Sequence, residues 1–367
     1  MKFTHVTFIR LFVVVAAIFY ANPSANGQVI YTIAGNDTPA YSGDGGLAIN
    51  ASLNAPVSVV VKNGIQYISD KANARIRRVN AAGIIRTIAG TGVSGFSGDG
   101  GPAIVAKFDQ TAGLTLDAVG NIYIADQANQ RIRKINTAGI VTTIAGTGAS
   151  GGSGDGGPAS NAQLNLPEDV AVDAAGNIYI ADYGNAKIRK INTSGIISTI
   201  AGTGSFSSTG DGGPATAAET VPYRITIDAA GNLYAAEYWY NKVRKINTAG
   251  IITTFAGTGS AGFSGDGGPA SAAKLQGPYG VAADRFGNIF INDQENHRIR
   301  KVSYTGNIYT ICGTGIFGHT GDGGPATNAR IGDPRNVSVD DSGNVYFADI
   351  NLHNVRKITR GNRLPFF

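Results

Sequence analysis

The string Gly-Asp-Gly-Gly occurs six times in this 367-residue chain, with its aspartates at Asp44, Asp99, Asp155, Asp211, Asp266 and Asp322. The steps between them are 55, 56, 56, 55 and 56 residues. A period this uniform over most of the chain requires one supersecondary unit used six times, and it excludes two unrelated domains. Each string is preceded by an Ile-Ala-Gly-like strand end, from Ile33-Ala34-Gly35 to Ile311-Cys312-Gly313.

The unit from Pro167 to Gly202 reads strand by strand. Val170–Asp173 is short and apolar, Ala174–Asn177 turns, and Ile178–Asp182 is a second apolar strand. Tyr183–Ala186 turns again; Lys187–Ile191 alternates polar with apolar, and Ile196–Ala201 closes the unit. The first two strands are apolar on both faces, so both need cover; the last two become more polar, as on the way out from a core. Four short antiparallel strands per repeat, six times over, predict an all-β fold, a six-bladed β-propeller of four-stranded antiparallel blades. Val29–Gly35 is a fourth strand with no blade before it, and Asn354–Ile358 is a third strand with none after it. Pairing the two closes the ring and removes the sheet edges an open array would expose.

The first 27 residues do not belong to this pattern. Lys2 and Arg10 flank an apolar core, Leu11–Tyr20, followed by a small polar stretch ending at Gly27. This is the layout of a secretory signal peptide, which predicts a signal at 1–27, a single propeller over 28–367 and no transmembrane span after cleavage. The expected location is extracytoplasmic: secreted, periplasmic or cell-surface. One cysteine rules out an intramolecular disulfide framework and a cysteine-rich zinc site. The formal charge of +5 falls to +3 without Lys2 and Arg10. The Arg-Ile-Arg-Lys runs are divided among six outer strands and balanced by nearby acids, so no nucleic-acid partner is expected.

The unit P-x-x-V-x-V-D-x-x-G-N-I-Y-I-A-D-x-x-N-x-R-I-R-K-I resembles the NHL repeat, and the connector I-A-G-T-G…S-G-D-G-G-P-A resembles that of exported bacterial NHL proteins. The resemblance covers residues 29 to 358. It implies a propeller that serves as a binding platform for protein or glycan. A few relatives, such as peptide-amidating lyases, are metal-dependent enzymes, and other six-bladed propellers resemble lactonases.

What all six blades share is expected to be scaffold, because a catalytic site needs different groups converging on one point. The Gly-Asp-Gly-Gly loops offer one carboxylate each, too few for calcium, and read as turns whose Asp accepts nearby backbone N–H groups. The pairs Asp70/Arg75, Asp126/Arg131, Asp182/Lys187, Glu237/Lys242 and Asp293/Arg298 are expected to face each other across a hairpin; blade six breaks the rule with Asp349/Asn354. Cys312 stands where sister blades have Ala and reads as a small buried thiol. His297 and His353 occupy turn positions held elsewhere by Gln130, Ala186 and Asn241, and His319 lies in a connector. No metal site and no cofactor are expected.

The residues that break the symmetry are the candidate site. The two positions after the repeat proline are Val57-Ser58, Ala112-Gly113, Glu168-Asp169, Tyr223-Arg224, Tyr279-Gly280 and Arg335-Asn336. They are expected to ring the mouth of the central channel. Glu168, Asp169, Tyr223, Arg224, Tyr279, Arg335 and Asn336 form the candidate ligand-binding ring, since Arg suits carboxylates and Tyr stacks on a sugar or peptide. In the alternative, Arg224 and Arg335 simply neutralise Glu168 and Asp169 in a water-filled channel. The turn Tyr238-Trp239-Tyr240 in blade four is the candidate partner surface, because exposed aromatics mark contacts. The chain is thus expected to be a non-catalytic binding platform for a protein or glycan. The alternative is a metal-dependent lyase or lactonase acting at the same mouth.

Overall fold

The computed structural model of the protein describes residues 27–360; the signal peptide expected over 1–27 lies, but for Gly27, outside them. The described residues form six four-stranded antiparallel sheets. Blade 3 consists of Pro167–Val172, Ile178–Asp182, Lys187–Ile191 and Ile197–Ala201, paired in sequence order. Blade 6 takes Pro334–Val339, Val345–Asp349 and Asn354–Ile358 from one end of the chain and Ile30–Ala34 from the other. The two ends meet through Ile30 opposite Ile358 and Tyr31 opposite Lys357. The first strand of each blade packs on the first strands of both neighbours, which closes the ring.

No single core fills the molecule. Six apolar clusters of the described residues each lie between adjacent blades. Between blades 2 and 3, Ala125 and Ile132 meet Val170 and Ile180, with Ala159, Ala162 and Leu164 of the connector sealing the outer side. This is why the first two strands carry apolar residues on both faces: each face is the wall of a different interface.

The Gly-Asp-Gly-Gly loop is part of that sealing. In blade 3 it runs along the edge of the fourth strand, where Gly156 N–H donates to Ile197 O at 2.8 Å and Ile197 N–H donates to Gly157 O at 3.0 Å. The outer edge is thereby covered, which protects it from pairing with another chain. The turn reading of the loop holds, but its Asp is not an Asx-turn acceptor. In all six blades it accepts from a fully buried arginine of the third strand: Arg77, Arg133, Arg189, Arg244, Arg300 or Arg356.

That arginine also corrects the expected charge ladder. Asp126 does face Arg131 in register, yet its ion pair is with Arg133, at 3.2 Å, and both side chains are buried. Arg131 instead lies 3.8 Å over the Phe96 ring and donates to Asn129 O and Thr147 O. The same shift by two residues occurs at Asp70–Arg77, Asp182–Arg189, Glu237–Arg244 and Asp293–Arg300. Across a hairpin the facing side chain is on the same sheet face, but an arginine two residues on reaches the acid from the neighbouring position of that face. In blades 1 to 5 the buried arginine therefore ties its own hairpin to the connector that brings the chain in from the preceding blade, whereas Arg356 of blade 6 bonds its connector, through Asp322, Thr320 O and Arg330 O.

The hairpins between second and third strands end in a left-handed residue, with φ between 46° and 55° at Ala74, Gln130, Ala186, Asn241, His297 and His353. The last Gly of the Ile-Ala-Gly end packs against this residue: at Gly202 (φ +93°) a Cβ would stand 2.2 Å from Ala186 O. No other residue type fits there.

Burial sets the acid response of this scaffold. It pushes Asp126, Asp182 and Asp293 up to about 6 against the pull of their hydrogen bonds and arginines, and does the same to Asp349. An acid raised in the folded state binds its proton more tightly there than in the unfolded chain. Its contribution is fully present below the unfolded value of 3.8 and lost as pH rises through 6. Asp117 and Asp173 behave oppositely. Burial raises them, but hydrogen bonds from Asn121 and Asn177, among others, outweigh it and hold them below the usual value, so they lose stability only in stronger acid. Thermal melts are expected to show a Tm higher at about pH 5 than at pH 7, with Asp293→Asn flattening that slope. A Tm that climbs steadily from pH 5 to 8 would contradict the assignment. Among the described residues no helix is long and apolar enough to cross a membrane.

Candidate functional site

The first strands line a central cavity of about 450 Å3, with Val60, Leu114, Val170, Ile225, Val281 and Val337 on its wall. It ends at Asp169 and Asn336. There Arg224 of blade 4 crosses the axis: one guanidinium nitrogen donates to Glu168 O at 2.9 Å and Asp169 Oδ1 at 3.3 Å, and the other to Val57 O of the opposite blade at 3.1 Å. Asp169 Oδ2 accepts from Ile225 N–H at 2.9 Å, and Asn336 Oδ1 accepts from Val59 N–H at 3.0 Å. Burial pushes Asp169 up to about 6 while Arg224 pulls it down. Gly113 makes room for the pair, since a Cβ there would lie 1.8 Å from Asp169 Oδ1.

The structure therefore divides the expected ring. Asp169 and Arg224 are buried and bonded to each other's strands, Asn336 is buried and bonded to the first strand of blade 1, and together they stop the channel. Glu168, Tyr223, Tyr279 and Arg335 lie beyond that stop, on the face of the connectors and hairpins. The pairing of Arg224 with Asp169 is the neutralised arrangement weighed from the sequence. Arg335 does not follow it: it packs 4.4 Å from the Tyr279 ring centre, and no ion pair joins it to Glu168 among the described residues. Glu168 instead accepts from the Gln127 amide and, at 3.3 Å, from the Tyr279 hydroxyl.

Above these residues stands an aromatic wall from three consecutive blades. Tyr223 lies 4.5 Å from Tyr183, 5.6 Å from Tyr238 and 5.1 Å from Tyr279 between ring centres. Tyr238 meets Trp239 edge to face at 4.8 Å. The indole N–H of Trp239 donates to the Tyr223 hydroxyl at 2.7 Å, yet 64% of the residue is exposed. Tyr238 donates to Glu295, and burial with that carboxylate beside it pushes the phenol up to about 12. Tyr240 turns away and donates to Phe206 O of the connector. The Tyr-Trp-Tyr turn and the ring, expected as two separate sites, are thus one continuous surface through Tyr223 and Tyr238.

Sequence reasoning missed the hairpin residues that complete this surface. Lys71, Gln127, Tyr183, Gln294 and Ile350 occupy the same repeat position as Tyr238, the residue after the second strand. The signal was present: this column varies while the Asn two residues on mostly repeats. The histidines do not converge. His297 Nδ1 lies 2.8 Å from Gly332 O, His353 Nδ1 accepts from Ala55 N–H at 3.1 Å, and His319 bonds Asp37 and Thr32 at the ring seam. Among the described residues no group of three or more His, Cys, Asp or Glu side chains is placed to hold a metal ion. Cys312 is buried, and burial pushes its thiol up to about 12.

Residues 148–210 match the model of the teneurin NHL domain. The chain is 28% identical over 267 residues to the chloroplastic protein Suppressor of Quenching 1 of Arabidopsis thaliana, covering 69% of this chain and 25% of that protein. It is 29% identical over 277 residues to teneurin-1 of Gallus gallus, covering 65% of this chain and 10% of that protein. It is 28% identical over 268 residues to human NHL repeat-containing protein 2, covering 64% of this chain and 37% of that protein. The chain thus spans a minor part of each of these relatives. Among solved structures, an auxiliary nutrient binding protein of Bacteroides thetaiotaomicron superposes with a TM-score of 0.66 at 13% identity, covering 91% of this chain and 77% of that one. A streptogramin B lyase superposes with a TM-score of 0.53 at 14% identity, covering 91% of this chain and 98% of that one. At these identities the structures share the fold alone. Repeat motif, family model, relatives and closed ring agree: this chain is a six-bladed β-propeller whose repeats are similar to NHL repeats.

Proposed function

We propose that the propeller is an extracytoplasmic binding platform, and that its ligand surface is the aromatic and polar mouth on the connector face. The observation that carries this is the Trp239 indole: it is held at one edge by the Tyr223 hydroxyl and braced by Tyr238, with most of its surface in solvent. A large exposed aromatic fixed in place by its neighbours loses little entropy on binding, and Trp and Tyr are the residues on which binding energy concentrates. The location rests on the signal peptide expected over residues 1–27. A binding role fits the Bacteroides neighbour, which is named for nutrient binding. A metal-dependent lyase or lactonase would need Glu168 and Asp169 for ligation or proton transfer, and both are already engaged, by Gln127 and Tyr279 and by Arg224 and Ile225.

Glycan and peptide arrays probed with the wild type and with Trp239→Ala test the reading. Every ligand the wild type captures is expected to lose about tenfold or more in affinity in the variant, with thermal stability nearly unchanged because the indole is exposed. Ligands that bind both proteins equally would place the binding surface elsewhere.

A further inference from the structure

Two cations of the mouth make no ion pair among the described residues. Arg224 and Asp169 neutralise each other. Of the remaining groups, Glu168 is engaged by Gln127 and Tyr279 and Glu295 by Tyr238, whereas Lys71 and Arg335 are two cations. Lys71 Nζ donates to Gln127 Oε1 at 3.0 Å, and among the described residues neither cation has a carboxylate within ion-pair distance. Arg335 is half-buried over the Tyr279 ring, and its Nε is shut away from water with no acceptor. Gln294, only 3% exposed at the hairpin position matching Lys71, likewise leaves Oε1 without a donor. Burial, with Arg224 and Arg335 nearby, holds Lys71 below its usual pKa, and Glu168 alone opposes them. Buried polar groups in folded proteins are normally satisfied; a ligand bearing an anion and hydroxyls would supply the acceptor that Arg335 lacks and the donor that Gln294 lacks.

Resting on the platform reading above, we infer that the mouth binds an acidic saccharide. Its carboxylate sits between Arg335 and Lys71 and its sugar ring lies on the aromatic wall at Tyr238 and Trp239. A planar guanidinium takes a carboxylate through two parallel hydrogen bonds. The rest of the surface presents hydroxyls, amides and the carboxylates of Glu168 and Glu295, which suit sugar hydroxyls.

The chain has one tryptophan, Trp239, so its fluorescence reports this surface directly. Full-length protein is titrated with trigalacturonate, with the methyl ester of the same trisaccharide, and with a tripeptide bearing a free C-terminal carboxylate. Trigalacturonate is expected to shift the emission and to bind about tenfold or more tightly than its ester, an advantage that shrinks in high salt. Arg335→Gln and Lys71→Gln are each expected to abolish that advantage, while leaving the melting temperature within a few degrees of wild type. Equal binding of acid and ester overturns the anion assignment, and tighter binding of the tripeptide overturns the saccharide. If none of the three binds, the inference fails; array ligands lost in Trp239→Ala would then still uphold the platform, and array ligands kept in Trp239→Ala would sink both.

Discussion

Replacing Arg133 by methionine is expected to destabilise the propeller by about 3–5 kcal/mol at neutral pH, measured by denaturant unfolding. Arg133 is wholly buried and joins three things: Asp126 at the end of the second strand, Asp99 of the incoming connector at 2.8 Å, and the connector carbonyl of Ser97 at 3.1 Å. Phe96 and Phe108 flank its guanidinium at 4.8 and 5.1 Å. Removing the charge leaves Asp126 in a dry site without its counterion, and the cost of an uncompensated buried charge exceeds what the intact pair contributes. Two contrasts identify the mechanism. Arg131→Met, two residues away, removes a partly exposed side chain and is expected to cost about 1 kcal/mol or less. The loss in Arg133→Met should also shrink at pH 5, because Asp126, already pushed up to about 6 by burial, takes a proton there and is no longer charged. Equal small losses at both arginines would show that the buried ladder is not what anchors the connectors.

Gly113→Ala is expected to cost about 3 kcal/mol although it adds a single methyl group, because it breaks a buried ion pair. The new Cβ would stand 1.8 Å from Asp169 Oδ1 and 2.4 Å from Arg224 Nη1. Side-chain ends usually give way, but these two are pinned: Asp169 by Ile225 N–H, and Arg224 by carbonyls on two other blades. Forcing them apart strands both charges inside the ring and opens the stop between mouth and cavity. The same substitution in an Asp169→Asn/Arg224→Met background should cost about 1 kcal/mol or less, since neighbouring sites that share one interaction are non-additive. If Gly113→Ala costs the same in both backgrounds, its effect comes from the strand and not from the stop.

Much of the fold was legible because a repeat displays its own alignment. The blade count, the strand order and the closure by Ile30–Ala34 all followed from spacing and from the two incomplete ends. The candidate ring was legible as the column that varies. What the column could not show is which side of a stopped channel each member faces. Glu168 and Asp169 are neighbours in sequence, yet one bonds Gln127 and Tyr279 at the mouth and the other bonds Arg224 and closes the well. Nor could a linear pattern show that Tyr223, from the ring, and Trp239, from a hairpin 16 residues on, share a hydrogen bond.

The sequence by itself determined the architecture. Strand length, apolar faces and turn residues act locally, and six copies of one local solution admit one way of closing. The tertiary structure alone decided which charges are satisfied. Asp126 takes Arg133 and not the facing Arg131, Arg224 reaches across the ring to Val57, and Lys71 and Arg335 are left without carboxylates. Ion pairing depends on distances of a few ångströms between groups brought together from different blades, and on the burial that makes an unpaired charge costly. Neither exists until the ring is closed.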